Sequence, residues 1–135
     1  ANVGMAVDTE RGLLVPVIFG AEKLSLSDIS AQAKVLAGKA REGKCSPDEM
    51  SGGSFTVSNL GSMGVESFTP VINPPQTAIL GVCCTTNRLK ADGKVYPAMG
   101  LSLTFDHRAV DGAPAAKFLK ELCTALENFD LLLAK

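Results

Sequence analysis

The sequence predicts an α/β domain (α+β), a mixed sheet covered by helices and folded as one compact unit. Three observations predict it. Strand patterns and helical patterns alternate along the chain, with no internal repeat and no low-complexity linker. Residues 77–86 form a nearly continuous apolar run, the mark of a strand buried on both faces. Two stretches, one after Ser25 and one around Pro114, carry apolar residues at helical spacing.

The elements follow in order. Val3–Val7 and Leu13–Ile18 are apolar stretches joined by the polar segment Asp8 to Gly12, which predicts a hairpin. Pro16 lacks a donor for a ladder, so the second strand belongs at an edge or a bulge. Ser25 with Asp28 three residues later opens a helix, Ile29, Ala33, Leu36 and Ala40 form its apolar stripe, and Gly43 stops it. Ser46-Pro47-Asp48-Glu49 starts a much shorter helix. From Gly52 the pattern turns to strand, Phe55 and Val57 opposing Ser54, Thr56 and Ser58, followed by the glycine-rich loop Gly61 to Gly64. Asn73-Pro74-Pro75 reads as a stiff, extended lead-in to the buried strand Thr77 to Thr86. Ala91-Asp92-Gly93-Lys94 is a hairpin turn signal before Val95-Tyr96, and Leu101, Leu103 and Phe105 alternate with Ser102, Thr104 and Asp106. Pro114 suits the first turn of a last helix, whose stripe is Ala115, Phe118, Leu119, Leu122, Leu126 and Phe129.

Composition narrows the function classes. A chain of 135 residues buries about two-thirds of its unfolded surface, enough for one core. With 46% hydrophobic and 20% charged residues and a net charge of -1, it falls among ordinary globular proteins, and nothing basic points to nucleic acid. No apolar run approaches the roughly 20 residues of a membrane span, and no signal-peptide pattern opens the chain. Cys45, Cys83, Cys84 and Cys123 contain no CxxC pair and there is one histidine, so a metal site is not expected and the cysteines read as reduced thiols. Cys83 and Cys84, neighbours on a strand, point to opposite faces, which argues against a redox pair. The opening Ala-Asn-Val-Gly-Met-Ala-Val already alternates like a strand interior, so the chain is expected to be either a piece of a longer polypeptide or a truncated form of one.

The densest group of reactive side chains is Asp106-His107-Arg108-Ala109-Val110-Asp111-Gly112, where a strand ends and a helix is about to begin. His107 is the only imidazole, and an imidazole, with an unperturbed pKa of about 6.5, is suited to base catalysis near neutral pH. Asp111 is placed to fix the ring's tautomer or the turn itself, and Arg108 to neutralise either aspartate. Taken by itself, a lone histidine is more often structural than catalytic. Gly38 to Lys44 matches GxxxxGK, but Cys45 stands where a phosphate loop needs Ser or Thr, and the segment ends a helix instead of opening one.

Asp106-His107-Arg108 with Asp111-Gly112 resembles the DHRxxDG signature of the dihydrolipoyl acyltransferases of 2-oxo acid dehydrogenase complexes. Residues 53–61 are similar to that family's GGTFTISNLG segment, Ile72-Asn73-Pro74-Pro75-Gln76 to its INPPQ, and Val7-Asp8 through Gly12 to Pro16-Val17 to its AVDTPxGLxVPV. Four motifs in the right order span nearly the whole chain. The resemblance implies a chloramphenicol acetyltransferase-like fold, of which residues 1–135 would be the C-terminal portion of the catalytic domain, with the lipoyl and subunit-binding domains absent. It implies transfer of an acyl group from a dihydrolipoyl thioester to coenzyme A, the lipoyl group being carried on a domain outside this chain. His107 would be the general base, Asp111 its companion, and Ser58 the donor to the oxyanion. It also implies trimers that build a larger core, each site shared by two subunits. The implied partners are a 2-oxo acid decarboxylase and a dihydrolipoamide dehydrogenase, in a bacterial cytoplasm or a mitochondrial matrix. The segment Met63 to Pro70 looks most like acetyl-transferring members. The Gly61 to Gly64 loop with Met63 fits either a substrate-channel lining or an ordinary turn. Residues that contact coenzyme A are not assigned, because part of that surface lies in the family's longer N-terminal portion. A non-catalytic scaffold and an acyltransferase of unrelated chemistry, both on the same fold, are the alternatives.

Overall fold

Residues 3–18 form a single antiparallel hairpin that is interrupted halfway. In the computed structural model, which describes residues 1–133, β1 (Val3–Met5) pairs with β4 (Val17–Ile18), and β2 (Val7–Thr9) pairs with β3 (Gly12–Leu14). Met5 N–H donates to the Pro16 carbonyl at 2.8 Å, which keeps one register through the gap. The interruption has a cause: Ala6 N–H turns away to the Val57 carbonyl, at 3.0 Å. The hairpin's base thereby joins a five-stranded sheet while its tip forms a two-stranded one.

The large sheet has the order β4-β1-β5-β6-β7, with β5 (Phe55–Asn59), β6 (Ala78–Leu89) and β7 (Val95–Phe105). β5 runs parallel to both β1 and β6, so the sheet is mixed, as the sequence predicts. β4 is an outer strand, the position that Pro16 requires.

Helix α1 (Leu26–Arg41) begins with a complete capping box: Asp28 N–H donates to Ser25 Oγ at 3.1 Å, and Ser25 N–H reaches back to Asp28 Oδ2. It ends in a Schellman motif. Gly43 takes φ +69°, its N–H donates to the Ala40 carbonyl, and Lys44 N–H donates to the Lys39 carbonyl. The GxxxxGK pattern is therefore a helix ending. Leu36 and Ala40 are buried and Ile29 and Ala33 half-buried, the predicted stripe, facing β2 and β4. The following short helix is a single 3-10 turn, Asp48–Met50, tied back to α1 by Lys39 Nζ on Glu49 Oε1 at 2.6 Å.

Three expectations need correction. Residues 73–76 form a turn, closed by Gln76 N–H donating to the Asn73 carbonyl at 3.1 Å, so this segment bends the chain instead of extending it. β6 is buried over Ile79–Leu80–Gly81 and at Cys83, but from Asn87 on it is exposed, because it runs with β7 into a hairpin whose tip is turned by Asp92 and Gly93. β7 is one strand of 11 residues that passes through Pro97, which an outer strand tolerates.

Contacts divide the chain into two compact units, residues 1–104 and the residues from 105 onward, where one unit was expected. The second unit contains α2 (Gly112–Glu127) and α3 (Phe129–Leu133). The predicted single helix breaks at Asn128, whose Nδ2 donates to the Thr124 carbonyl at 2.8 Å. Of the expected stripe Ala115 is buried, while Phe118, Leu126 and Phe129 are exposed. No helix among the described residues is long and apolar enough to cross a membrane.

Candidate active site

Ser58 is placed by a strand that the sheet holds from both sides. β5 lies between β1 and β6, and Ser58 pairs with Gly81 in the parallel register of β6. The Ser58 side chain is half-buried and lines a cavity of about 380 Å³, whose walls are largely apolar, with Val15, Phe68, Pro70 and Ile79 among them. Among the described residues no hydrogen bond occupies its hydroxyl. Thr56, two residues earlier on the same face, lines the same cavity and is fully buried, its hydroxyl donating to Gln76 Oε1 at 2.6 Å. The side of β5 that reads as polar in the sequence thus faces inward, toward a cavity.

The chain leaving Ser58 is pinned to β6. Leu60 N–H donates to the Val82 carbonyl at 3.0 Å, and Gly61 N–H to Asn59 Oδ1 at 2.9 Å. Gly61 is required by space: a Cβ there would stand 2.8 Å from the Cys83 carbonyl oxygen. Met63 is 66% exposed and outside the cavity lining, whereas Phe68 and Pro70 of the Met63 to Pro70 segment are part of it.

The second unit carries His107 on a turn built by Asp106. One carboxylate oxygen accepts the Arg108 N–H at 2.9 Å, an Asx turn. The Asp106 carbonyl accepts the N–H groups of Ala109 and Val110 at 2.9 and 3.1 Å. The Arg108 guanidinium then grips the same carboxylate, Nε to Oδ1 at 3.0 Å and Nη2 to Oδ2 at 2.7 Å. That grip, together with the Arg108 backbone N–H, lowers the Asp106 carboxyl to about 2. Arg108 therefore neutralises Asp106, and it is Asp106 that shapes the turn.

His107 and Asp111 come together across that turn. Nδ1 of the ring lies 3.6 Å from Asp111 Oδ1, an ion pair when the imidazole is protonated but too long for a hydrogen bond. Both side chains are open to solvent, at 73% and 81%. The ring also neighbours Phe105, with centroids 5.9 Å apart and planes tilted by 39°. Asp111 also occupies the N-cap position of α2, with extended backbone and no side-chain cap bond. Ser58 belongs to the first unit, His107 and Asp111 to the second.

Sequence reasoning left the buried Thr56–Gln76 bond and the role of Asp106 unassigned. The first had a signal in Gln76 at the end of the INPPQ-like motif, the second in an aspartate two residues before a main-chain donor. All four cysteines are free thiols, and among the described residues no three His, Cys, Asp or Glu side chains gather to hold a metal ion. An imidazole on a braced turn and an unoccupied hydroxyl on the wall of an apolar cavity can supply a general base and a donor to a developing oxyanion.

Comparison with known proteins gives the same direction. The chain is 50% identical over 130 residues to the dihydrolipoyllysine-residue acetyltransferase component of the acetoin cleaving system of Bacillus subtilis, covering 94% of this chain and 33% of that protein. It is 47% identical over 135 residues to the corresponding component of the pyruvate dehydrogenase complex of the same organism, covering 98% of this chain and 30% of that protein. It therefore spans about a third of the length of these curated relatives. Among solved structures, the dihydrolipoamide acetyltransferase of Azotobacter vinelandii, studied for the role of a serine, a histidine and an asparagine in its catalytic mechanism, matches with a TM-score of 0.92 at 43% identity. That match covers 98% of this chain and 56% of the solved one. The family model described as the catalytic domain of the 2-oxoacid dehydrogenases acyltransferase matches residues 1–134, and the chain belongs to that family.

Proposed function

We propose that the protein containing this chain transfers an acetyl group from a dihydrolipoyl thioester to coenzyme A within a 2-oxo acid dehydrogenase complex. The observation that carries the reading is His107, an exposed imidazole on a turn clamped by Asp106 and Arg108, in a chain of this family. The Azotobacter enzyme supports the site: its histidine and asparagine lie four residues apart, the spacing of His107 and Asp111, and a serine precedes them, as Ser58 does here. The acetyl group is supported by the relatives' names and by the Met63 to Pro70 segment, two residues of which line the cavity beside Ser58.

The proposed chemistry balances on these residues. With Nδ1 turned to Asp111, the other ring nitrogen of His107 accepts the proton of the coenzyme A thiol. This matters because a thiol with a free pKa of about 8.5 is only a few per cent ionised at neutral pH. The thiolate attacks the thioester carbonyl carbon, and the oxygen that becomes negative accepts a hydrogen bond from the Ser58 hydroxyl. Collapse expels the dihydrolipoyl sulfur, which takes the proton back from the imidazolium. The products are acetyl coenzyme A and the free dithiol, with no net proton change. Asp111 Oδ1, 3.6 Å from Nδ1, orients the ring for this exchange.

The site is completed between subunits. In a single chain the His107 ring is 73% exposed. We place the base of one subunit against the serine of a neighbour in a trimer, with trimers assembled into the core that receives the decarboxylase and dehydrogenase components.

The test is acetyl transfer from acetyl-dihydrolipoamide to coenzyme A by the assembled full-length protein. Removing a general base costs about 10²- to 10⁴-fold, so His107→Ala is expected in that range. Ser58→Ala is expected to lose on the order of 10²- to 10³-fold in kcat, as for one oxyanion donor. No turnover in the wild type points to a scaffold, and full activity of His107→Ala rejects the mechanism.

A further inference from the structure

The segment between Val65 and Gln76 walls the cavity beside Ser58 without the main-chain bonding that holds the strands. Cys84 N–H donates to the Val65 carbonyl at 2.8 Å, and the Asn73–Gln76 bond lies within the segment itself. Among the described residues no backbone hydrogen bond reaches residues 66–72. Yet Phe68, Pro70, Val71, Ile72 and Asn73 all line the cavity. Side chains must therefore hold this wall in place.

They do so at two points. Phe68 and Pro70 sit on Gly81 of β6, where an added Cβ would come within 2.9 Å of the Phe68 ring and 3.2 Å of Pro70. The other point is the hydrogen bond from Thr56 to Gln76, 2.6 Å long and made by a hydroxyl with no exposed surface. The surroundings are shaped for it. A Cβ on Gly4, the register partner of Thr56 in β1, would stand 2.8 Å from Thr56 Oγ1, and one on Gly53 would stand 2.7 Å from Gln76 Nε2. Two glycines thus leave room for one polar pair, of which the Thr56 side is fully buried. A buried hydroxyl without a partner is costly, so the bond fixes where residue 76 and the turn before it can lie.

We propose that Thr56 and Gln76 are positioning residues for substrate binding. Their hydrogen bond ties the cavity wall at residues 70–73 to the strand that carries Ser58, and so sets the shape that receives the apolar part of a thiol substrate. The inference rests on the acyltransfer reading above. Ser58 itself is held by its pairing with Gly81 in the ladder to β6 and does not depend on Gln76. Loosening the wall weakens binding of ground state and transition state alike, which raises KM and leaves kcat in place.

The experiment measures acetyl transfer by the assembled full-length protein for Thr56→Val, Gln76→Leu, the double variant and Thr56→Ser, together with thermal unfolding. The expected result is a KM for at least one of the two thiol substrates raised about fivefold in each single variant, with kcat within about twofold of wild type. The double variant is no worse than either single one, since both delete the same bond. Thr56→Ser, which keeps the donor, restores KM. Unchanged KM for both substrates with a lowered unfolding midpoint, or a fall in kcat alone, overturns the proposal. A wild type without acetyl transfer overturns the functional reading and this inference with it, whereas an active wild type with unaffected variants overturns the inference alone.

Discussion

Arg108 lays two nitrogens along the carboxylate of Asp106, at 3.0 and 2.7 Å, with His107 carried between them in the chain. Because the pair and the Asx turn share one carboxylate, loss of its charge loosens the mount of the base without touching the base. Asp106→Asn keeps an acceptor for the Arg108 N–H and loses the grip of the guanidinium. We expect kcat to fall about tenfold, less than the roughly 10² that a 1 Å misplacement costs. The sign of the pH effect follows from a carboxyl lowered from 3.8 to about 2: the pair's contribution is complete above the ordinary carboxyl range and is lost only as pH falls toward 2. Over the range from about pH 6 to 9 Asp106 is therefore always charged in the wild type. The pH–rate profile of Asp106→Asn should keep its shape and drop as a whole. A displaced acid limb would mean that Asp106 acts on the proton transfer itself.

Ser25→Ala tests the start of α1. The cap satisfies Asp28 N–H, and the Ser25 hydroxyl also donates to Asp28 Oδ2 at 2.6 Å. Losing such a cap costs about 1 kcal/mol. Urea denaturation should show a lower midpoint at unchanged slope. None of the residues proposed for catalysis lies on α1, so acetyl transfer should be unaffected at temperatures where the protein is folded.

Local chemistry decided which parts of this fold were legible in the sequence. Ser25, Asp28 and Gly43 mark both ends of α1 because caps are short-range and residue-specific. Pro16 correctly demanded an outer strand for the same reason. Interruptions imposed from a distance were not legible. The break in the first hairpin comes from Ala6 donating to Val57, 51 positions later in the chain, and nothing near Ala6 announces it. The inward-facing polar side of β5 was hidden likewise, since Thr56 is buried by a partner 20 residues away. At the candidate site the reactive side chains His107, Asp111 and Ser58 stood out by type and motif, whereas the brace under His107 depended on which aspartate Arg108 would choose. That choice is geometric: Asp106 lies two residues from Arg108 on the same turn and accepts its main-chain N–H as well.

Mixing two inactive chains decides whether the site is shared. His107→Ala subunits keep Ser58, and Ser58→Ala subunits keep His107. If the base of one subunit serves the serine of the next around a ring, random co-assembly in equal amounts makes about one interface in four fully intact, because each interface needs a specific subunit on each side. Unfolded together and reassembled, the mixture should recover about a quarter of wild-type activity, and separate reassembly followed by mixing should recover none. A site built within one subunit gives a different result, since every chain then lacks one of its two groups however the trimers form. Mixed trimers verified by mass that remain inactive would place both residues in the same subunit's site. The exposed ring of His107 would then need some other cover.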